Sequence, residues 1–465
     1  MQPTFPDNFQ WGVATAAIQI EGGVDLDGRK PSVWDDFSNR WRRSSRGQMV
    51  PMGWAKKPGL EACDHYHRYE EDVKLMAALG VKQYRFSISW CRIVPDGRGG
   101  VNEAGFGFYQ RLLDCLERHG IEPVVTLFHW DSPIALEQRY GSWRSREMAQ
   151  DYADYVTAVV SRLGDRISQW ITLNEITCFT HMGYANQGLP EHAPGTIVAR
   201  WRDVWQTSHH ALLAHGLGVQ AIRAASPQPC RVGLVDNFGV TLPIAETPEH
   251  IAAAQAAFPY HYNNGGLCYP ALTGQYHPGF WQSLGDEAPI VTDGDLATIH
   301  QPLDFIGLNI YTGCYVRAAA NDRGFEFVPL TQNYPRLNMP WLNILPDCLY
   351  WAIRHVGETL GQPNLDVLIT ENGCAAQDDR TANGEILDVD RIMYLKQHLQ
   401  GVARAVAEGY PIRGYYLWSL LDNFEWSWAY DKRFGIVYVD YPTQQRIPKA
   451  SYHWYQECIR QGKVV

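Results

Sequence analysis

Eight short apolar runs, separated by longer helical patterns, constrain the fold of this chain more than any other feature. They are FQWGVAT (9–15), KQYRFSI (82–88), PVVTLF (123–128), QWITLN (169–174), RVGLVD (231–236), LDFIGLNIY (303–311), DVLITE (366–371) and RGYYLWSL (413–420). Most are hydrophobic with little alternation, as parallel strands buried on both faces should be. Between them, HYHRYEEDVKLMAALG (65–80) repeats apolar positions near i, i+3 and i+4 and stops at Gly80. Asp64 stands where an N-cap would. Similar patterns cover 103–119, 145–163, 203–225, 343–360 and 388–408. Strand followed by helix, repeated eight times, predicts a closed (β/α)8 TIM barrel in which 1–465 is a single domain. The alternative is an open doubly wound sheet, which usually carries a G-x-G-x-x-G turn after its first strand. Here AAIQIEGG (16–23) follows the first strand instead.

A net charge of −10 argues against nucleic acid or an anionic membrane as partner, since both need a basic face. No uninterrupted apolar run is long enough to predict a transmembrane helix, and MQPTFPDNFQWG has neither the basic nor the apolar region of a signal peptide. Ten cysteines contain no C-x-x-C pair, which suggests buried free thiols in a reducing compartment, hence the cytoplasm. Aromatic residues reach 12%, with 17 Trp. A large core accounts for most of them, and flat rings that face the CH faces of sugars are the sharper reading.

In such barrels the chemistry sits at the C-terminal ends of the strands. That rule collects Gln19 and Glu21 after the first strand, Arg85 in the second, His129 and Trp130 after the third, and Asn174 and Glu175 at the fourth. It adds Asn309 and Tyr311 at the sixth, Glu371 at the seventh, and Trp418, Glu425 and Trp426 at the eighth. These groups should converge on one pocket. The set lacks a Ser-His-Asp or Cys-His arrangement. Its best metal candidate, His65-x-His67 beside Asp64, has the wrong spacing for one helical face. His119, His209 and His210 read as packed or solvated helix residues. No metal or organic cofactor is expected. Two carboxylates facing each other across a pocket, Glu175 and Glu371, are what glycosidic cleavage needs.

The ordered motifs identify a family. FPDNFQWGVAT…QIEG (5–22), GRKPSVWDDF (28–37), ACDHYHRYEEDV (62–73), YRFSISWCRI (84–93), TLFHWDSP (126–133), GDRISQWITLNE (164–175), DFIGLNIY (304–311), ITENG (369–373) and YLWSLLDNFEW…RFGIVYVD (416–440) resemble family-1 glycoside hydrolases, the β-glucosidase type. The resemblance implies a retaining β-glycosidase on a (β/α)8 barrel. It implies Glu175 as acid/base and Glu371 as nucleophile, with Arg85 and Tyr311 holding the nucleophile ionised. Gln19, His129, Asn174 and Glu425 resemble the hydrogen bonders to the sugar, and Trp418 and Trp426 its indole walls. Trp130, Asn309, Tyr311 and Phe434 fall in the same substrate pocket, and Trp341 resembles the Trp that flanks the leaving group. The partner implied is a small β-glycoside with a glucosyl, galactosyl or fucosyl residue.

Two departures stand out. Ile176 replaces the family's usual Pro after the acid/base, which frees a backbone N–H. Ile310 replaces a common Tyr and, within a strand, should point away from the site. Members that cleave 6-phospho-sugars carry Ser where Glu425 stands, and a carboxylate there would repel a phosphate. Thioglucosidase relatives carry Gln in place of Glu175. A transglycosylase that passes the same intermediate to an alcohol stays open on the sequence. A non-catalytic glycan- or receptor-binding module is disfavoured because both Glu are present.

Overall fold

The structure is a computed structural model, and it describes residues 4–43, 49–51, 61–184 and 191–465. Eight strands form a closed barrel: β1 (Gln10–Ala14), β2 (Gln83–Ser87), β3 (Glu122–Phe128), β4 (Gln169–Asn174), β5 (Arg231–Asp236), β6 (Phe305–Asn309), β7 (Asp366–Asn372) and β8 (Ile412–Trp418). Every neighbouring pair is parallel, and β1 closes the ring on both sides, with Gly12 opposite Gln83 and Gln10 opposite Gly414. Every residue of β2, β4 and β6 is buried. This is why their sequences run apolar without alternation. All eight predicted strands are therefore present, in sequence order around the ring.

The outer helices follow the same logic. Helix α1 (His65–Leu79) ends at Gly80, whose φ of 92° closes the last turn in a conformation that a Cβ disfavours. Helices α2 (Glu103–Arg118), α3 (Glu147–Leu163) and α4 (Trp201–Ala225) bury one face against the barrel. Helices α5 (Cys348–Arg354), α6 (Val389–Ala407) and α7 (Ala450–Gln461) complete the wrapping. The alternation is not uniform. After β5 the chain breaks into short helices, Pro248–Ala257, Cys268–Thr273, Pro278–Leu284 and Asp295–Ile299, rather than one long one. Helix α7 carries no pattern singled out from sequence.

Asp64 occupies the N-cap position of α1 but does not cap it. Its φ is 51°, its side chain accepts no bond from the helix backbone, and its carboxylate takes His67 Nδ1 at 2.6 Å instead. The imidazole competes successfully because it lies on the exposed face within reach of the turn. A capping box does form one helix earlier, where Ser32 and Asp35 satisfy each other's backbone N–H at the start of Val33–Arg40.

Candidate active site

The strand ends converge on a cavity of about 530 Å³. At its base Arg85, fully buried in the middle of β2, directs its donors to three other strands of the barrel. Nη1 donates to Glu371 Oε1 at 2.6 Å and to the Thr370 carbonyl at 3.0 Å, both on β7. Nη2 donates to Asn174 Oδ1 on β4 at 2.5 Å, and Nε to Thr126 Oγ1 on β3 at 3.2 Å. The guanidinium thereby fixes the Asn174 amide: its oxygen faces donors only, so its Nδ2 must donate to His129 Nε2, 3.2 Å away. Burial and the Arg85 charge hold His129 well below its ordinary pKa. A neutral ring that accepts at Nε2 carries its proton on Nδ1, which has no partner among the described residues.

Asn309 at the end of β6 is fixed in the same way. Thr370 Oγ1 donates to its Oδ1 at 2.7 Å, leaving Nδ2 to donate to Asn174 Oδ1 at 2.9 Å and to Glu175 Oε1 at 2.5 Å. Tyr311, just past β6, donates its hydroxyl to Glu371 Oε2 at 2.7 Å. Glu371 itself sits at a register shift, where β7 gains a residue against β6 and lands opposite Asn309. Immediately beyond it, a Cβ at Gly373 would stand 1.7 Å from the Trp418 carbonyl oxygen, so only glycine lets the ends of β7 and β8 approach this closely.

The remaining walls are aromatic. Trp426 lies 4.3 Å from Trp130, and His129 stacks near-parallel to both Trp418 and Trp426. The Trp130 indole is anchored through Nε1 to the Asn174 carbonyl at 2.8 Å. Phe434 and the half-exposed Trp341 flank Tyr311 at the mouth. Gln19 lies behind the wall. Its Nε2 donates to the Phe424 carbonyl at 2.9 Å and to Asn423 at 3.2 Å, while Oε1 is buried without a partner among the described residues.

Electrostatics separate the three carboxyls. Burial, then the neighbouring Glu371 charge, pushes Glu175 up to about 8. Glu425 rises to about 8 through burial and repulsion from Glu371 and Glu175. Burial also raises Glu371, but Arg85 and the Tyr311 hydroxyl pull it back. Glu371 therefore loses its proton first, and its charge keeps a proton on Glu175 near neutral pH. The pocket can hold one ionised and one protonated carboxyl side by side, among indoles and aimed amides.

Comparison with known proteins bears on this geometry. Residues 1–464 match the model of glycosyl hydrolase family 1. The chain belongs to that family. Family members are retaining O-glycosyl hydrolases, so the chain is such an enzyme. It is 40% identical to beta-glucosidase A of Thermotoga maritima, over 98% of each chain. It is 37% identical to a bifunctional beta-D-glucosidase/beta-D-fucosidase of Bifidobacterium breve, over 99% of each. The solved Thermotoga maritima beta-glucosidase in complex with glucoimidazole superposes with a TM-score of 0.86, at 39% identity and 99% coverage of both chains.

In this family 1 enzyme, eleven of the site residues read from sequence line the cavity: His129, Trp130, Glu175, Asn309, Tyr311, Trp341, Glu371, Trp418, Glu425, Trp426 and Phe434. Gln19, Asn174 and Arg85 stand behind them and act through hydrogen bonds. Glu21 does not join them. It turns away to pair with Arg92 at 3.1 Å and to accept from Tyr109 at 2.7 Å, because a buried carboxylate must find a cation and these lie outside the cavity. Ile310, one residue past the end of β6 at Asn309, is among the residues that line the cavity.

Sequence reasoning missed Cys178, Asn237, His192, His261 and Tyr262, which also line the cavity. Cys178 and Asn237 were findable as residues just past the ends of β4 and β5. His192 sits on a bend, and His261 and Tyr262 lie in the 3-10 segment Phe258–Gly266, none of which carried a signal singled out from sequence. The histidines passed over as structural are so placed: His65 pairs with Asp72, His209 with Tyr276 and Asp295, His210 with the Trp143 carbonyl, and His119 with the Cys115 carbonyl. Among the described residues no cluster of three or more His, Cys, Asp or Glu is placed to hold a metal ion.

Proposed function

We propose that Glu371 is the nucleophile and Glu175 the acid/base of a retaining β-glucosidase that removes terminal β-D-glucosyl residues from β-glucosides or cello-oligosaccharides. The observation that carries the reading is the division of labour between two buried carboxyls in one cavity: one clamped by Arg85 and Tyr311, the other given only an amide and a thiol. Glu371 attacks the anomeric carbon from the α face. Glu175 gives its proton to the glycosidic oxygen, the C1–O bond breaks, and the aglycone leaves as an alcohol. The glycosyl ester has no charge on Glu371, so Glu175 becomes the stronger acid and its carboxylate is free to take a proton from water. That water attacks C1 from the β face and restores Glu371.

Within the donor subsite, His129 Nδ1–H and Glu425 offer a donor and a carboxylate to sugar hydroxyls, with Gln19 Oε1 an acceptor just behind the lining. Two hydroxyl donors would favour the ionised form of Glu425, each such bond contributing about 1.5–3 kcal/mol. Glu425→Ser is expected to lower kcat/KM on nitrophenyl β-glucoside by roughly two orders of magnitude. Unchanged kcat/KM would show that Glu425 does not touch the sugar. A panel of nitrophenyl β-glucoside, -galactoside, -fucoside and a 6-phospho-glucoside tests the substrate class. Turnover of the neutral glycosides and none of the phosphorylated one is expected.

Carboxyl chemistry and water suffice for both steps. Exhaustive chelation is expected to leave activity intact, and loss restored by a divalent ion would reopen the His65 and His67 region. The whole chain acts as one catalytic unit in this reading. Among the described residues no helix is long and apolar enough to cross a membrane, and all ten cysteines are free, which supports a reducing, cytoplasmic setting.

A further inference from the structure

Glu175 has a neighbour that the reaction as described leaves unused. The chain enters helix Ile176–Tyr184 directly after Glu175, and this brings the Cys178 sulfur within 3.1 Å of Glu175 Oε2. Asn237, just past β5, places its Nδ2 3.3 Å from the same sulfur. Both residues line the catalytic cavity.

The other carboxyl oxygen is already committed. Asn309 can only donate to Oε1, because its own Oδ1 is occupied by the Thr370 hydroxyl. The proton of the acid form therefore belongs on Oε2, the oxygen beside the sulfur. A thiol is a weak donor and a weak acceptor. It can give its S–H to Oε2 when Glu175 is ionised and give way when Oε2 carries the proton bound for the leaving group.

We propose that Cys178 is a positioning residue of the reaction: its thiol holds Oε2 of Glu175 and sets how far into the alkaline range the acid form survives. This rests on the assignment of Glu175 as acid/base. Several other groups act on the same carboxyl: Glu371 on β7, Arg85 on β2, Glu425 past β8, Tyr311 past β6, and Tyr262. Asp236 at the end of β5 faces the sulfur itself. They fix most of the field at Glu175, and the thiol is the member whose donor strength a single-atom change can tune.

The test is the pH profile of kcat/KM for Cys178→Val and Cys178→Ser with an alkyl β-glucoside, which needs full protonation of its leaving group. Val fills a similar volume and donates nothing, so the ionised form loses a partner and the basic limb moves up. Ser donates more strongly to a carboxylate, so the limb moves down. A shift of about half to one pH unit in each direction is expected. Thermal melting confirms that both variants fold. A sulfur that merely packs would change Tm or kcat and leave the limb in place, so a fixed basic limb in both folded variants overturns the proposal with the roles of the two glutamates intact. Movement of the acid limb alone would instead show that the carboxyl beside Cys178 is the one required ionised, and the role assignment would fall.

Discussion

Glu371→Gly and Glu175→Ala, each supplied with azide, are expected to give glycosyl azides of opposite anomeric configuration. Removing Glu371 leaves no group to form the glycosyl ester. Azide entering the vacated space meets C1 from the α face and yields the α-glycosyl azide. Removing Glu175 leaves Glu371 with its clamp of Arg85 and Tyr311 undisturbed. A dinitrophenyl glucoside needs little protonation, so this variant should still glycosylate Glu371. It then stalls for want of a base, at a cost of about 10²–10⁴-fold. Azide needs no base, so it should speed this variant and yield the β-glycosyl azide. NMR of the products separates the two. The same anomer from both, or no rescue of a folded Glu175→Ala, would mean that the roles are wrongly assigned.

Arg85→Met carries the second large effect. Arg85 is the buried cation that touches Glu371, its Nη1 2.6 Å from Oε1. Breaking a buried pair by deleting one partner costs about 3–5 kcal/mol. The nucleophile can escape that penalty by taking up a proton. The sign follows: Arg85 lowers the Glu371 pKa, so its loss raises it, and the acid limb of kcat/KM moves upward. At pH 6 the loss is expected to reach about 10²-fold or more, with part of it recovered at higher pH. With Glu371 neutral, the charge that holds a proton on Glu175 disappears as well, so the two limbs approach each other and the profile narrows. A profile of unchanged shape, lowered uniformly, would show that Arg85 only supports the barrel. Asn174 is the second casualty, since its amide orientation depends on the same guanidinium.

The two results would also separate positioning from chemistry. Arg85 never reaches the cavity surface, yet it sets the ionisation of the nucleophile and, through Asn174, the tautomer of His129. Its sequence position, mid-strand in YRFSIS, marks it as buried and charged. A buried cation on a barrel strand must have a partner. Its partner is the seventh strand's glutamate, 286 residues away in the chain.

How much the sequence alone determined follows from what each signal measures. Strand identity was legible because burial on both faces favours apolar runs with little alternation, and each of the eight runs is a barrel strand. The two carboxyls proposed as catalytic could be paired from sequence because parallel barrels present their strand ends on one face, so bringing Glu175 and Glu371 together needed no contact information. Helix α1 declared its end through Gly80, a local backbone requirement. Elsewhere local signals gave way to tertiary contacts. Asp64 looks like a cap, but His67 takes its carboxylate. Glu21 looks like a pocket residue, but Arg92 and Tyr109 draw it elsewhere. Ile310 lies one residue past the end of β6, where strand alternation alone does not fix which way a residue faces. His192 reaches the cavity from a bend, and His261 and Tyr262 from the 3-10 segment Phe258–Gly266, neither of which has a helical or strand period to read. Only the tertiary structure could decide which proton sits where, because that depends on directed hydrogen bonds among β2, β3, β4, β6 and β7. Sequence spacing places a residue on a strand end, whereas the amide that fixes a tautomer or the thiol that meets one carboxyl oxygen is chosen by distances between strands remote in sequence.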